Sequence, residues 1–220
     1  QLETLSYQVV DRLAELHTID YTQAGLASFG HPEGFIERQV HGWLKRYEKA
    51  KTEDIPAVER LKKMFIEQLP TSTWSGVIHN DYKLNNMLLS DDLTEINAIL
   101  DWEMVTIGDP LFDLGGALVY WVQKDDPETI KESLPSITAK KEGFITREAF
   151  IERYVKKTGR DVNDIHFYVA LNYFKLGVAL QQIYYRWKIG KTTDERFRTF
   201  HQKARHLIQQ AQHVMEERTF

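Results

Sequence analysis

The sequence predicts an α+β protein, mainly α, in which helices surround one small β-hairpin. Three observations lead there. Apolar residues recur with a spacing near 3.6 over most of the chain, the mark of helices with one buried face. Two short apolar runs in the middle, Met87-Leu88-Leu89 and Ile96 to Leu100, flank the polar turn Ser90-Asp91-Asp92, as the strands of a hairpin do. The 220 residues are 42% hydrophobic and 27% charged, with 12 Gly and 6 Pro, which suits one large packed domain and not a disordered chain.

Each element has its own signal. Leu2, Leu5, Val9, Leu13 and Leu16 set a first helix over residues 2–17, and His17 falls in its last turn, where a cation suits the helix dipole. Residues 20–34 form a polar connection that ends in Gly30-His31-Pro32-Glu33-Gly34. Ile36, Val40, Trp43, Leu44 and Tyr47 mark a second helix. Asp54 and Pro56 start a third, with Val58, Leu61, Phe65 and Leu69 as its inner face and Pro70 as its stop. This tandem pair within residues 30–70 is either an inserted helical subdomain beside a substrate cleft or ordinary packing.

Val77 and Ile78 form a short strand. After the hairpin, Asp109-Pro110 reads as an N-cap with Pro at the first helical position, opening a helix buried through Leu111, Leu114, Leu118, Trp121 and Val122. Residues 123–145, polar and punctuated by Pro127, Pro135 and Gly143, read as a loop or a mobile lid. Thr146 caps the next helix and Gly159 ends it. Asp164 begins a long helix through Phe167, Leu171, Phe174, Val178, Ile183 and Trp187, closed by Gly190. Thr192 and Glu195 have capping-box spacing ahead of a last helix carrying Phe197, Phe200, Ala204, Leu207, Ala211 and Val214.

Composition removes several function classes. The net charge of −4 gives no electrostatic case for nucleic acid. Zero Cys excludes disulfides, thiolate metal sites and a Cys nucleophile, and is compatible with a reducing cytoplasm, where we expect the protein to act. No uninterrupted apolar run approaches about 18 residues, so no membrane partner is expected. The chain opens at Gln1, with no signal-peptide pattern; a native chain normally opens with Met, so a fragment is expected.

The chemistry-bearing stretch runs from His79 to Asp101. It reads His79-Asn80-Asp81-Tyr82-Lys83-Leu84-Asn85-Asn86, then the hairpin, then Asp101-Trp102-Glu103. Phosphoryl transfer from a nucleotide needs one carboxylate to orient the attacking hydroxyl and take its proton, and oxygen ligands for one or two Mg²⁺ ions. Mg²⁺ takes one or two carboxylates or amides, with water and phosphate completing its shell. Asp81 and Asn86, five residues apart, supply a base and an oxygen ligand from one short loop. A hairpin would bring Asn86 and Asp101, at the open ends of its strands, close together.

The pattern His-x-Asp-x-x-x-x-Asn, strand, turn, strand, Asp resembles the catalytic signature of the aminoglycoside phosphotransferase and choline kinase family, a relative of the protein-kinase signatures. The resemblance implies a protein-kinase-like C-terminal lobe over residues 1–220. It makes Asp81 the catalytic base, Asn86 and Asp101 the metal and cofactor ligands, His79 the brace of the loop, and Asp113, in Gly108-Asp109-Pro110-Leu111-Phe112-Asp113, the buried acid that holds the loop. It implies ATP, with GTP as the alternative, Mg²⁺, and a small hydroxylated molecule as acceptor. Phe29-Gly30-His31-Pro32-Glu33-Gly34-Phe35 and Leu100-Asp101-Trp102-Glu103 look like the phosphotransferase domains related to those fused to some acyl-CoA dehydrogenases. That tilts the acceptor toward an acyl-type hydroxyl. Candidate substrate contacts are Arg38, Glu103 and Arg186, the last within the cluster Tyr184-Tyr185-Arg186-Trp187, although each has an ordinary packing or surface alternative.

The sequence therefore points to an ATP-dependent O-phosphotransferase, a small-molecule kinase. No Gly-rich loop and no Val-Ala-x-Lys-like strand occur, so the N-terminal lobe is missing from the chain, and the chain alone is expected to be inactive. The competing reading is a catalytically silent kinase-like binding module. A metal phosphohydrolase is disfavoured because the other His residues are scattered. Oligomeric state is not legible.

Overall fold

The computed structural model describes residues 1–72 and 74–220. In chain order the helices are α1 (Leu2–His17), α2 (Phe35–Ala50), α3 (Pro56–Glu67), α4 (Pro110–Tyr120), α5 (Glu128–Ser133), α6 (Ile137–Lys140), α7 (Arg147–Thr158), α8 (Ile165–Lys188) and α9 (Phe200–Glu217). The strands are β1 (Gly76–Ile78), β2 (Met87–Leu89), β3 (Ile96–Ile99) and β4 (Thr106–Gly108). The fold is mainly helical with short two-stranded ribbons, as the sequence predicts.

The residues divide into two compact units. The first comprises Gln1–Phe35, Ser72–Asp125 and Ser136–Asn163. The second comprises Ile36–Thr71, Asp126–Pro135 and Asp164–Phe220.

The first unit contains all four strands. The expected hairpin is β2 against β3, antiparallel, with Met87 opposite Ile99, Leu88 opposite Ala98, and a bulge between Leu88 and Leu89. A second antiparallel ribbon pairs β1 with β4, Val77 opposite Ile107. It was not legible in the sequence, because three residues, Thr106-Ile107-Gly108, are too few to show a period of two. Its buried side packs with α1: Leu16, Val77 and Ile107 form one apolar cluster, covered by Tyr21, Leu26 and Val105. Gly30 passes directly over β4, where a Cβ would lie 2.5 Å from Thr106 Oγ1 and 2.7 Å from the Ile107 nitrogen. Only glycine permits that approach.

Helix α7 is tied to α1 by Arg153, which donates to both carboxylate oxygens of Asp11 at 2.8 and 2.7 Å. Those bonds hold the Asp11 carboxyl below its usual range despite partial burial. The predicted caps of α4 and α7 form: Asp109 accepts from the Leu111 N–H at 2.9 Å, and Thr146 from the Ala149 N–H at 3.2 Å. Gly159 ends α7 with φ +67°.

In the second unit, α3 and α8 meet through Phe65, whose ring centroid lies 5.4 Å from that of Phe167 and 5.8 Å from that of Phe174. Helix α9 lies so close to α8 that a Cβ on Gly177 would come within 2.8 Å of Ile208 Cγ1 and 3.0 Å of the Ala204 carbonyl oxygen. Gln181 donates to the Ala50 carbonyl at 2.9 Å, which caps the open end of α2.

Three local expectations are corrected. Residues 123–145 are not a bare loop, since α5 and α6 fall within them; Ser136 caps α6, and six- and four-residue helices are too short to show periodicity. Helix α3 starts at Pro56 as expected, but Ile55 is its N-cap and no side chain caps it. Thr192 is not a cap. Asp194 caps a 3₁₀ turn over Glu195–Thr199, accepting from the Arg196 N–H while its carboxylate also holds the Arg196 guanidinium at 2.6 Å. Asp194 immediately precedes the turn and reaches the Arg196 N–H at 3.0 Å, whereas Thr192 lies two residues further upstream.

Candidate active site

The stretch from His79 to Met104 lies wholly in the first unit. The loop leaves β1 at Ile78 and turns sharply, with Asn80 at φ +67°, a conformation Asn tolerates better than most residues. A 3₁₀ turn, Leu84–Asn86, leads it into β2. The hairpin register continues one pair beyond the strands, because the Leu100 N–H donates to the Asn86 carbonyl at 2.8 Å. Asp101 is thus the next residue after the one paired with Asn86.

Asp113 anchors the start of this loop. It sits in the first turn of α4 with its side chain 1% exposed. One oxygen accepts from the His79 N–H at 2.7 Å and from the His17 ring at 3.1 Å, and the other accepts from the Asn80 N–H at 2.8 Å. Burial alone would raise this carboxyl, but these donors outweigh it and hold Asp113 below its ordinary range.

His17 is the member of this network that the sequence reading misassigned. It is fully buried and does not serve as a cation for the α1 dipole. Burial lowers its pKa below the ordinary 6.5, opposed by the bond to Asp113, so the neutral ring is the resting form at pH 7. A neutral ring assigns the protons along the chain. The Tyr154 hydroxyl, 2.8 Å away, donates to His17 Nδ1, and His17 Nε2–H donates to Asp113. No local pattern could have revealed this pairing, which spans 96 residues.

His79 is buried and braces the loop from inside. Its Nδ1 accepts from the Asp81 N–H at 3.3 Å, so Nε2 carries the proton and donates to the Leu100 carbonyl at 2.9 Å. Trp102 packs on the same ring, 4.8 Å between centroids, and its indole N–H donates to the Ile99 carbonyl at 2.7 Å. His79 therefore fixes the position of Asp81 relative to the residue before Asp101.

Asp81 is partly buried and well supplied with donors. Asn86 Nδ2 donates both to the Asp81 carbonyl at 2.9 Å and to its carboxylate at 3.0 Å. Lys83 Nζ lies 2.5 Å from the same carboxylate oxygen. The Tyr120 ring, at the end of α4, lies 5.0 Å from the Lys83 ammonium; burial first, then the Asp81 charge, pushes the Tyr120 hydroxyl up. Lys83 and Tyr120 were not among the residues singled out from sequence. Lys83 was visible inside the motif, and Tyr120 was signalled by lying seven residues after Asp113 on one helix.

Asp101 is built differently. It is exposed, adopts φ +68° and ψ +54°, and caps the 3₁₀ turn Trp102–Met104 without using its side chain. Its carboxylate has no hydrogen-bond or ion-pair partner among the described residues. The same holds for Glu103, two residues further and exposed. Arg38 on α2 and Arg186 on α8 are exposed and belong to the second unit.

The donor set fits Mg²⁺ better than a transition metal. Among the described residues, no group of three or more His, Cys, Asp or Glu side chains is placed to hold an ion. Asn86 spends its amide N–H groups on Asp81, so its Oδ1 is the atom left to act as a ligand. One amide oxygen and one carboxylate, both hard, with the remaining positions left to phosphate and water, match the Mg²⁺ preference.

Comparison with known proteins agrees with this architecture. Residues 1–134, more than half of the chain, match the model of the phosphotransferase enzyme family. The chain is 32% identical over 183 residues to acyl-CoA dehydrogenase family member 10 of Mus musculus, covering 82% of this chain and 17% of the relative. It is 31% identical over 191 residues to acyl-CoA dehydrogenase family member 11 of Homo sapiens, covering 84% and 24%. A solved structure from Ralstonia eutropha, assigned by inference as an aminoglycoside phosphotransferase, superposes with a TM-score of 0.87 at 26% identity, covering 97% of this chain and 65% of that one. Choline kinase from Cryptosporidium parvum shares the fold, with a TM-score of 0.55 at 15% identity and coverage of 97% and 65%. The chain thus spans a quarter or less of these curated relatives and just under two thirds of the solved neighbours. With family model, relatives and fold in agreement, this chain belongs to the phosphotransferase enzyme family.

Proposed function

We propose that this chain carries the catalytic loop of an ATP-dependent, Mg²⁺-dependent O-phosphotransferase acting on a small hydroxylated molecule. The observation that carries the proposal is the double role of Asn86. Its amide nitrogen fixes the Asp81 carboxylate, and its oxygen is left for a ligand on the hairpin that also presents the unpartnered Asp101. A scaffold needs neither feature. Asp81 would accept a hydrogen bond from the acceptor hydroxyl, orient its oxygen for in-line attack, and take its proton as the new P–O bond forms. Asn86 and Asp101 would hold Mg²⁺, which when bound supplies charge neutralisation at the phosphate oxygens. His79 and Asp113 keep the base and the metal side in register through backbone contacts.

Exposed apolar side chains of the same hairpin, Leu88 at 55% and Leu100 at 47%, sit next to these ligands and would offer a platform to a flat nucleotide base. Fold does not transfer a substrate. The relatives' names connect such a domain with acyl-CoA dehydrogenases, and on that ground an acyl-type hydroxyl is the acceptor class we favour. The chain alone shows no Gly-rich phosphate-covering loop, and we expect weak or no turnover from it. The test is calorimetric titration of the full-length gene product with ATP, with and without Mg²⁺. Mg²⁺ should strengthen binding, and Asp101→Ala should abolish that gain. Binding that ignores both Mg²⁺ and Asp101→Ala would contradict the assignment and favour a silent module.

A further inference from the structure

Helix α4 touches the catalytic loop at both of its ends. Asp113 and Tyr120 are seven residues apart, two helical turns, which places them within about 20° of one direction and about 10 Å apart along the axis. At the start of the helix, Asp113 holds the loop backbone at His79 and Asn80. At its end, Tyr120 meets the lysine of the loop. Its ring lies under the Lys83 ammonium, 5.0 Å from nitrogen to centroid, and that ammonium is itself paired with Asp81.

We infer that Tyr120 is a positioning residue for Lys83 and, through it, for Asp81: the ring seats the ammonium, and the seated ammonium holds the carboxylate. The inference rests on the phosphotransferase reading of Asp81 and extends it to a residue outside the motif. The chemistry requires some such device. A carboxylate that must face an incoming hydroxyl sits 2.5 Å from a flexible lysine that would otherwise draw it aside. A rigid ring on a buried helix limits where that lysine can go, because cation–π attraction favours the ring face. Tyr120 takes no proton and touches no reacting atom; it acts on Asp81 through the Lys83 ion pair.

The test separates ring from hydroxyl and both from stability. Tyr120→Phe keeps the ring, and Tyr120→Leu removes both. In amine-selective ¹H–¹⁵N NMR of this chain, the Lys83 ammonium should carry an aromatic ring-current shift that survives Tyr120→Phe and vanishes in Tyr120→Leu. A Lys83 signal identical in all three proteins would overturn the seating of the ammonium. In the full-length gene product, with MgATP as probe and water as phosphoryl acceptor, Tyr120→Leu should lower kcat about 10-fold with KM for MgATP within twofold, the signature of lost positioning, while Tyr120→Phe, which keeps the ring, should stay within twofold of wild type. Tyr120→Leu added to Asp81→Asn should lower it no further, because both act at one carboxylate. Additive losses, or an unchanged kcat in Tyr120→Leu, would overturn the positioning role. Asp81→Asn at wild-type rate would overturn the phosphotransferase reading itself, so the two failures are distinguishable.

Discussion

The loop from His79 to Asn86 and the turn from Asp101 to Met104 are joined by one short hairpin, yet they are prepared in opposite ways. Along the loop, His79, Asn80, Asp81 and Asn86 each have a named hydrogen-bond partner, and the acid that anchors it is 1% exposed. In the turn, Asp101 is exposed, in a left-handed conformation, with a carboxylate that no described residue satisfies. Folding completes the first region. The second keeps a charge and a strained backbone that folding alone does not reward, the pattern expected where a ligand completes the arrangement.

The largest contrast comes from removing each acid. Asp113→Ala strands the His79 and Asn80 N–H groups and the His17 ring in the interior, and should cost about 3–5 kcal/mol of stability. Asp101→Ala should change stability by about 1 kcal/mol or less. Denaturant unfolding of the two variants checks this, and equal losses would break the comparison.

A smaller effect separates the buried network from its titration. The folded state disfavours protonated His17, while the unfolded chain takes up that proton near its ordinary 6.5. Protons then bind preferentially to the unfolded state, so this contribution is complete above pH 6.5 and is lost as pH falls below it. Asp113, held below its ordinary 3.8, adds a second loss only as pH falls below that value. The melting temperature should therefore decline between pH 7 and pH 5. His17→Gln, which retains an N–H for Asp113, should flatten that window and leave the more acid one. An equally steep decline in the variant would place the titration elsewhere.

The smallest effect sharpens the comparison from the other side. Asp101→Gly relieves a left-handed φ of +68° and should stabilise the protein by up to about 1 kcal/mol while removing the carboxylate proposed to hold Mg²⁺. A destabilised Asp101→Gly would mean that the carboxylate has a structural task after all.

Legibility in the sequence followed the same divide. Long helices announced themselves by period, and the Asp109 and Thr146 caps by residue type. The hairpin was visible because apolar runs flank Ser90-Asp91-Asp92. The Asp81, Asn86 and Asp101 set stood out because its pattern resembles a known catalytic signature; the structure puts the Asn86 amide on Asp81 and Asp101 one residue past the partner of Asn86. What was hidden was non-local or short. His17 reads as a helix-end histidine until the fold places it on Asp113. The β1–β4 ribbon and helices α5 and α6 are too short for periodicity. Tyr120 looked like one more aromatic on a buried helix, although its spacing from Asp113 already put both on one face.

Asp81 is the residue on which the proposed chemistry depends. Its most direct test compares Asp81→Asn with wild type in the full-length gene product, measuring MgATP affinity by calorimetry and phosphoryl transfer to hydroxylated acceptors by ATP consumption. Nucleotide affinity should stay within a few-fold and turnover should fall by about 10²–10⁴-fold, the loss of a general base. Turnover close to wild type, with the carboxylate gone, would contradict it.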